Sequence, residues 1–63
     1  MQGTYVVAEA DADSAVLRDA ETGQVLTLAE NPGVEAGEVI EATLDADDLG
    51  VTYTATVESR REV

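Results

Sequence analysis

The stretch ENPGVEAGEVIEATLDADD, residues 30–48, decides the fold. It opens on Asn31-Pro32-Gly33, a turn signal, because Pro presets φ and Gly accepts a positive one. Past Gly37 the chain alternates. Ile40, Ala42 and Leu44 fall on one side, and Val39, Glu41 and Thr43 on the other. A period of two belongs to a half-buried strand, and no 3.6-residue period runs through the segment. The stretch then ends on Asp45, Asp47 and Asp48, which raises a second question. Those acids either hold a ligand or keep the protein dissolved and folded.

Working outward, the same alternation recurs between turn signals. Upstream, GTYVVAEA places Tyr5 and Val7 on one face before Asp11, Ala12, Asp13 and Ser14 break it. SAVLRDA and QVLTLAE follow, separated by Glu21-Thr22-Gly23, and read as a hairpin. Downstream, VTYTATVES alternates most cleanly, with Val51, Tyr53, Ala55 and Val57 opposing Thr52, Thr54, Thr56 and Glu58. The pattern predicts strands over residues 3–10, 14–20, 24–30, 38–45 and 51–59. It leaves room for no helix beyond a single turn in the PGVE segment. Five short strands with regular turns predict an all-β fold, a small antiparallel barrel or rolled sheet. Closure is favoured because a flat sheet would leave one apolar face wet. The expected core draws on Val7, Leu17, Leu26, Leu28, Ile40, Leu44, Tyr53 and Val57, with the threonines of the last strand outward.

All 63 residues fit one small domain, near the lower limit for folding without staples. No Cys or His is present, which excludes disulfides, Cys/His zinc sites and His or Cys catalysis. Without Phe or Trp, the core must be built from Val, Leu, Ile and Ala, and it will be modest. The opening MQGTYVVAEA has no basic segment and too short an apolar run for a secretory signal. No stretch reaches the roughly 18 apolar residues of a membrane helix. The expectation is a cytoplasmic monomer.

Charge is the loudest signal. Fourteen acidic residues face three basic ones, Arg18, Arg60 and Arg61, for a formal net charge of −11 with no Lys. Such a charge on a small domain works against the compact state. Molar salt shortens the Debye length to about 3 Å and removes most of that repulsion. The composition therefore predicts a protein of a very salty cytoplasm. Disorder does not fit, because 44% of residues are hydrophobic and they are placed in order.

The run LAENPGVEAGEVIEATL, residues 28–44, following a hairpin, resembles small OB- and SH3-like barrels. In those a turn and a Gly-acid-hydrophobic segment lead into a strand. The wider layout, GTYVV, SAVLRD, GQVLTLAENPG and AGEVIEATL, resembles an uncharacterised family of short acidic haloarchaeal proteins, a domain of unknown function. That likeness spans nearly the whole chain and implies no activity. The chain is also similar to the later half of the RNA-binding TRAM domain, although its middle lacks basic residues.

Candidate sites are few. Asp11 with Asp13, and Asp45 with Asp47 and Asp48, prompt a Ca²⁺ or Mg²⁺ reading. A calcium loop started at Glu9 would put Ser14 where Gly is required and Ala20 where the bidentate Glu belongs, so no metal site is expected. Gly33 and Gly37 match no phosphate-binding loop. A carboxylate pair needs a cleft and shifted pKa values to act as acid and base, and no nucleophile pairs with a base here. No cofactor and no enzyme activity are expected. Tyr5 and Tyr53 share faces with valines and read as core or core-edge residues rather than base-stacking platforms. The arginines are expected to pair with carboxylates such as Glu58 or Glu62.

The leading expectation is thus a non-catalytic binding or adaptor module that meets a protein partner through a polar face or edge strand. Its candidate surface is Arg18, Thr52, Thr54, Thr56, Arg60 and Arg61. The alternative is a nucleic-acid-associated barrel using the arginines. The third is a DNA mimic, for which these acids are too scattered.

Overall fold

A computed structural model describes residues 2–47 and 49–61. Five strands follow one another: β1 (Gln2–Ala10), β2 (Ala15–Asp19), β3 (Val25–Leu28), β4 (Val39–Ala46) and β5 (Tyr53–Arg61). No helix occurs among the described residues. The strands close into a barrel in the ring order β1-β2-β3-β5-β4. β4, β1, β2 and β3 thereby form a Greek key, and β5 fills the place between β4 and β3. This is the five-stranded Greek-key design of OB-type barrels.

One part of the expectation needs correcting. The strands are not all antiparallel, because β3 and β5 run parallel and meet at the single pair Leu28↔Tyr53. The reason is parity: strands cannot alternate up and down all the way round an odd ring. The parallel contact falls at β3, the shortest of the five strands.

Each of the four connections is built on an Asp or Asn whose side-chain oxygen accepts the backbone N–H two residues on. Asp11 takes the N–H of Asp13, Asp19 that of Glu21, Asn31 that of Gly33 and Asp47 that of Leu49. This is the local bond that makes these residues turn formers. Asn31 also donates from Nδ2 to the carbonyls of Asp11 and Val34, tying two connections together at one end of the barrel. Gly33, at φ 103°, lets the chain reverse there and drop Val34 into the core.

The core is aliphatic with one aromatic residue. Tyr5, Val7, Ala15, Leu17, Leu26, Leu28, Val34, Ile40, Ala42 and Leu44 are buried. Six of the eight expected core residues are among them. The other two, Tyr53 and Val57, are half-buried and pack against the cluster with Ala55. The last strand has the expected phase, with Thr54 and Thr56 exposed. It begins two residues later than the alternation predicts, so Val51 lies in the turn and is exposed rather than facing inward.

Two bulges set which residues point in. Val7 pairs with Leu17 and Glu9 with Val16, so Ala8 is an extra residue in β1. Glu41 pairs with Ser59 and Ala42 with Val57, so Glu58 is extra in β5. A bulge bends a strand and shifts the phase of everything after it by one residue. In β1 the shift turns Glu9 outward and Ala10 inward. In β5 it puts Arg60 on the same face as its partner Ile40, which is the inner one.

Candidate partner-binding surface

β5 is where the candidate residues gather and where the barrel is least complete. Tyr53 is its only residue laddered to β3, and the Ala29 N–H donates to the Tyr53 carbonyl at 2.9 Å. On its other side β5 pairs with β4 from Tyr53 to Arg61. Successive residues of a strand aim their backbone groups to opposite sides. Tyr53 faces β3, so Ala55 and Val57 present their N–H and C=O groups to the same side. Among the described residues no ladder partner meets them there. The inward side chains beside this free edge, Tyr53, Ala55 and Val57, are half-buried, so an apolar row runs alongside unpaired backbone.

The outer face of β5 carries Thr54 and Thr56, opposite Asp45 and Thr43 of β4. Thr52 does not extend that row. It lies before the strand, and its hydroxyl donates to Asp47 Oδ2 at 2.5 Å. Glu58 accepts from the Thr43 hydroxyl at 2.7 Å and from Gln2 Nε2.

The arginines do not form one basic patch. Arg18 is exposed on β2, which β3 separates from β5. Arg61 is exposed at the end of β5, level with Val39. Arg60, turned inward by the bulge, meets a carboxylate that the alternation does not single out. Its Nη2 donates to Glu38 Oε1 at 2.7 Å and its Nε to Glu38 Oε2 at 2.9 Å. Glu38 is buried, at 5% exposure. Its Oε1 also accepts the Glu35 N–H at 2.5 Å. The Arg60 hydrogen bonds, with that N–H, hold the Glu38 carboxyl below its usual range. The residue before a strand carries no periodicity of its own. The available signal was that Glu38 keeps step with Ile40, Ala42 and Leu44, which made it an acid on an inward face.

The acidic clusters have a visible occupation. Asp11 Oδ1 accepts the N–H groups of Asp13 and Ser14 and the Ser14 hydroxyl. Those backbone bonds lower its pKa. Asp47 is lowered by the Thr52 hydroxyl and by the backbone N–H groups of its turn. Asp48 lies outside the described residues. No three acidic side chains converge as a cation site among the described residues. The Ser14 hydroxyl sits 3.4 Å from an Asp11 oxygen that already serves two amides, which makes that carboxylate a poor base.

No curated protein and no solved structure matches the chain. A family model does, over residues 1–63. With that match spanning its length, the chain belongs to DUF5812, a family of unknown function.

Proposed function

We propose that this barrel is a non-catalytic binding module of a salt-rich haloarchaeal cytoplasm, and that it takes an extended segment of a protein partner on the free edge of β5. The observation that carries the reading is the backbone of Ala55 and Val57, directed to an edge with no ladder partner beside a half-covered apolar row. Strand addition uses those two elements: main-chain groups supply affinity, and alternate side-chain sites supply selectivity. A free edge is also a hazard that proteins usually blunt. Here the bulge at Glu58 and the arginines that follow it limit the open stretch to a few residues. The net charge of −11 and the absence of Lys support the salt-rich setting.

Residue-resolved amide exchange tests it. In the free protein the amides of Ala55 and Val57 exchange much faster than those of Thr54 and Thr56, which face β4. A protein purified with the chain at high salt then protects Ala55 and Val57. Equal protection of all four amides in the free protein removes the edge. Recovery of RNA in place of a protein, with Arg18 and Arg61 needed to hold it, replaces this reading with a nucleic-acid one.

A further inference from the structure

One row on the outer face of the barrel is unlike its neighbours. Cross-strand pairing runs Arg61↔Val39, Val39↔Val6, Val6↔Arg18 and Arg18↔Val25, so a single belt crosses the strands in the order β5-β4-β1-β2-β3. Val39, Val6, Arg18 and Val25 point outward, since Ile40, Tyr5, Leu17 and Leu26 beside them in sequence are buried. Val25 is 63% exposed, and Val6 and Val39 are partly so. Val16, two residues before Arg18 and also outward, adds a third valine around the guanidinium. The flanking rows are polar: Thr4 with Glu41 and Ser59 on one side, Glu9 and Thr27 about Val16 on the other.

Arg18 is exposed, in a chain with 14 acids, yet it makes no hydrogen bond or ion pair among the described residues. Directly opposed residues on one face of a sheet are the nearest side-chain neighbours, and for Arg18 both are valines. The fold therefore does not use this cation, and outward valines do nothing for solubility. Recognition does use such a group. An arginine at the centre of an interface, ringed by apolar contacts that exclude water, is where binding energy concentrates. Exposed ion pairs lose most of their strength in molar salt, whereas covered ones are screened much less.

We infer that the outer face of β1, β2 and β3 docks a protein partner that sets a carboxylate against Arg18 and aliphatic side chains over Val6, Val16 and Val25. This surface is separate from the β5 edge. Charge and chemistry together select the occupant. A guanidinium takes a carboxylate through two parallel hydrogen bonds, and the valines around it call for an apolar cover. A nucleic acid would bring its phosphates towards Glu9 and Glu41 and find no outward ring to stack on, since Tyr5 points into the core. An anionic lipid surface meets the same two acids. A second copy, packed about a two-fold axis at Arg18, would set two guanidiniums together.

The test places a photo-crosslinking residue at position 25, with position 13 in the turn between β1 and β2 as control, in cells that make the protein. The protein joined from position 25 alone is identified and purified, and the joined segment contains an Asp or Glu. In molar KCl, Arg18→Glu raises its Kd for the full chain about tenfold or more. Changing that Asp or Glu of the purified partner to Arg restores binding to Arg18→Glu. Melting of Arg18→Glu matches the parent, since Arg18 supports no core contact; should it melt lower, Arg18→Gln carries the same comparison. Amide exchange at Ala55 and Val57 is unchanged in the variant, so loss of this face is distinguished from loss of the β5 edge. The inference is overturned by the absence of a crosslink from position 25, or by crosslinks only to RNA or to a second copy of the chain. A Kd in molar KCl indifferent to Arg18→Glu, or a reversed carboxylate that restores nothing, overturns it as well. Sedimentation of the chain with phosphatidylglycerol vesicles, lost in Arg18→Glu, overturns it in favour of a membrane.

Discussion

Glu38 and Arg60, 22 residues apart in sequence, meet through two hydrogen bonds at 2.7 and 2.9 Å. The pair ties the entry of β4 to the far end of β5, and it exists only because the bulge at Glu58 turns Arg60 inward. Arg60 is partly open to solvent, and the Glu38 side chain is almost wholly covered, at 46% and 6% exposure. The consequence is asymmetric. Removing the arginine leaves a covered carboxylate without its cation, whereas neutralising the acid leaves a cation that water can reach.

Arg60→Ala therefore lowers the melting midpoint by several degrees and Glu38→Gln lowers it less. Arg61→Ala, one residue further and on the outer face, changes stability by no more than about 0.5 kcal/mol. Thermal melts of the three variants in molar salt read this order directly. Equal effects at Arg60 and Arg61 would mean that the bulge does not set the phase of the strand's end.

Tyr5 is fully buried, and its hydroxyl has no hydrogen-bond partner. Its ring lies back over Gly3, where an added Cβ would stand 3.3 Å from the hydroxyl oxygen. Burial, with Asp19 nearby, raises its pKa, so the group stays protonated. Tyr5→Phe removes an unpaired buried polar atom and keeps the ring, so it stabilises the fold by about 1 kcal/mol. Gly3→Ala presses on the same hydroxyl and destabilises by a similar amount. In the background of Tyr5→Phe the cost of Gly3→Ala falls. A double-mutant cycle with no coupling between the two positions contradicts this packing.

How much of this is legible in the sequence follows from what alternation encodes. Leu17, Leu26, Leu28, Ile40 and Leu44 were recoverable because a one-residue slip would expose each set at once. Residues beyond a bulge were not, since the sequence around Ala8 or Glu58 looks like uninterrupted strand. Alternation alone therefore places Arg60 on the outer face, away from Glu38, and gives no reason to pair the two. The turn residues carry their own chemistry, but Asp47 reads as one acid beside Asp45 and Asp48, although its carboxylate orders the turn between β4 and β5. The edge at Ala55 and Val57 depends on how short β3 is. Alternation carries that strand on to residue 30, whereas it ends at Leu28.

Acid should unfold the protein through a small set of carboxyls. Asp11, Glu38 and Asp47 all titrate below their ordinary range in the folded state. The unfolded chain therefore binds protons at a higher pH than the native one does. The stability these groups contribute is complete above their unfolded pKa, about 4, and is lost as pH falls through the lower folded values. The triple variant Asp11→Asn, Glu38→Gln, Asp47→Asn has a shallower decline between about pH 4 and 2 than the parent when both are melted in molar KCl. Asn keeps the turn-forming oxygen, so a collapse of the variant at neutral pH would show that charge, not the acceptor, holds these turns.

The salt dependence at neutral pH answers what the acids do. The molecule spans 32 × 26 × 19 Å. At about 0.01 M salt the Debye length is about 30 Å, so its charges feel one another across the whole barrel; at 1 M it is about 3 Å. At neutral pH the midpoint in dilute buffer should thus lie well below that in molar KCl. At neutral pH the midpoint climbs continuously with KCl into the molar range. A bound divalent ion would instead stabilise by mass action and level off above its Kd. Asp11 and Asp47 already spend their oxygens on turn amides and hydroxyls, so millimolar Mg²⁺ or Ca²⁺ should do no more than KCl of equal ionic strength. A larger rise with either ion at that concentration would mean that the acids around Asp45 and Asp47 bind a cation, and that holding the barrel together in brine is not their main work.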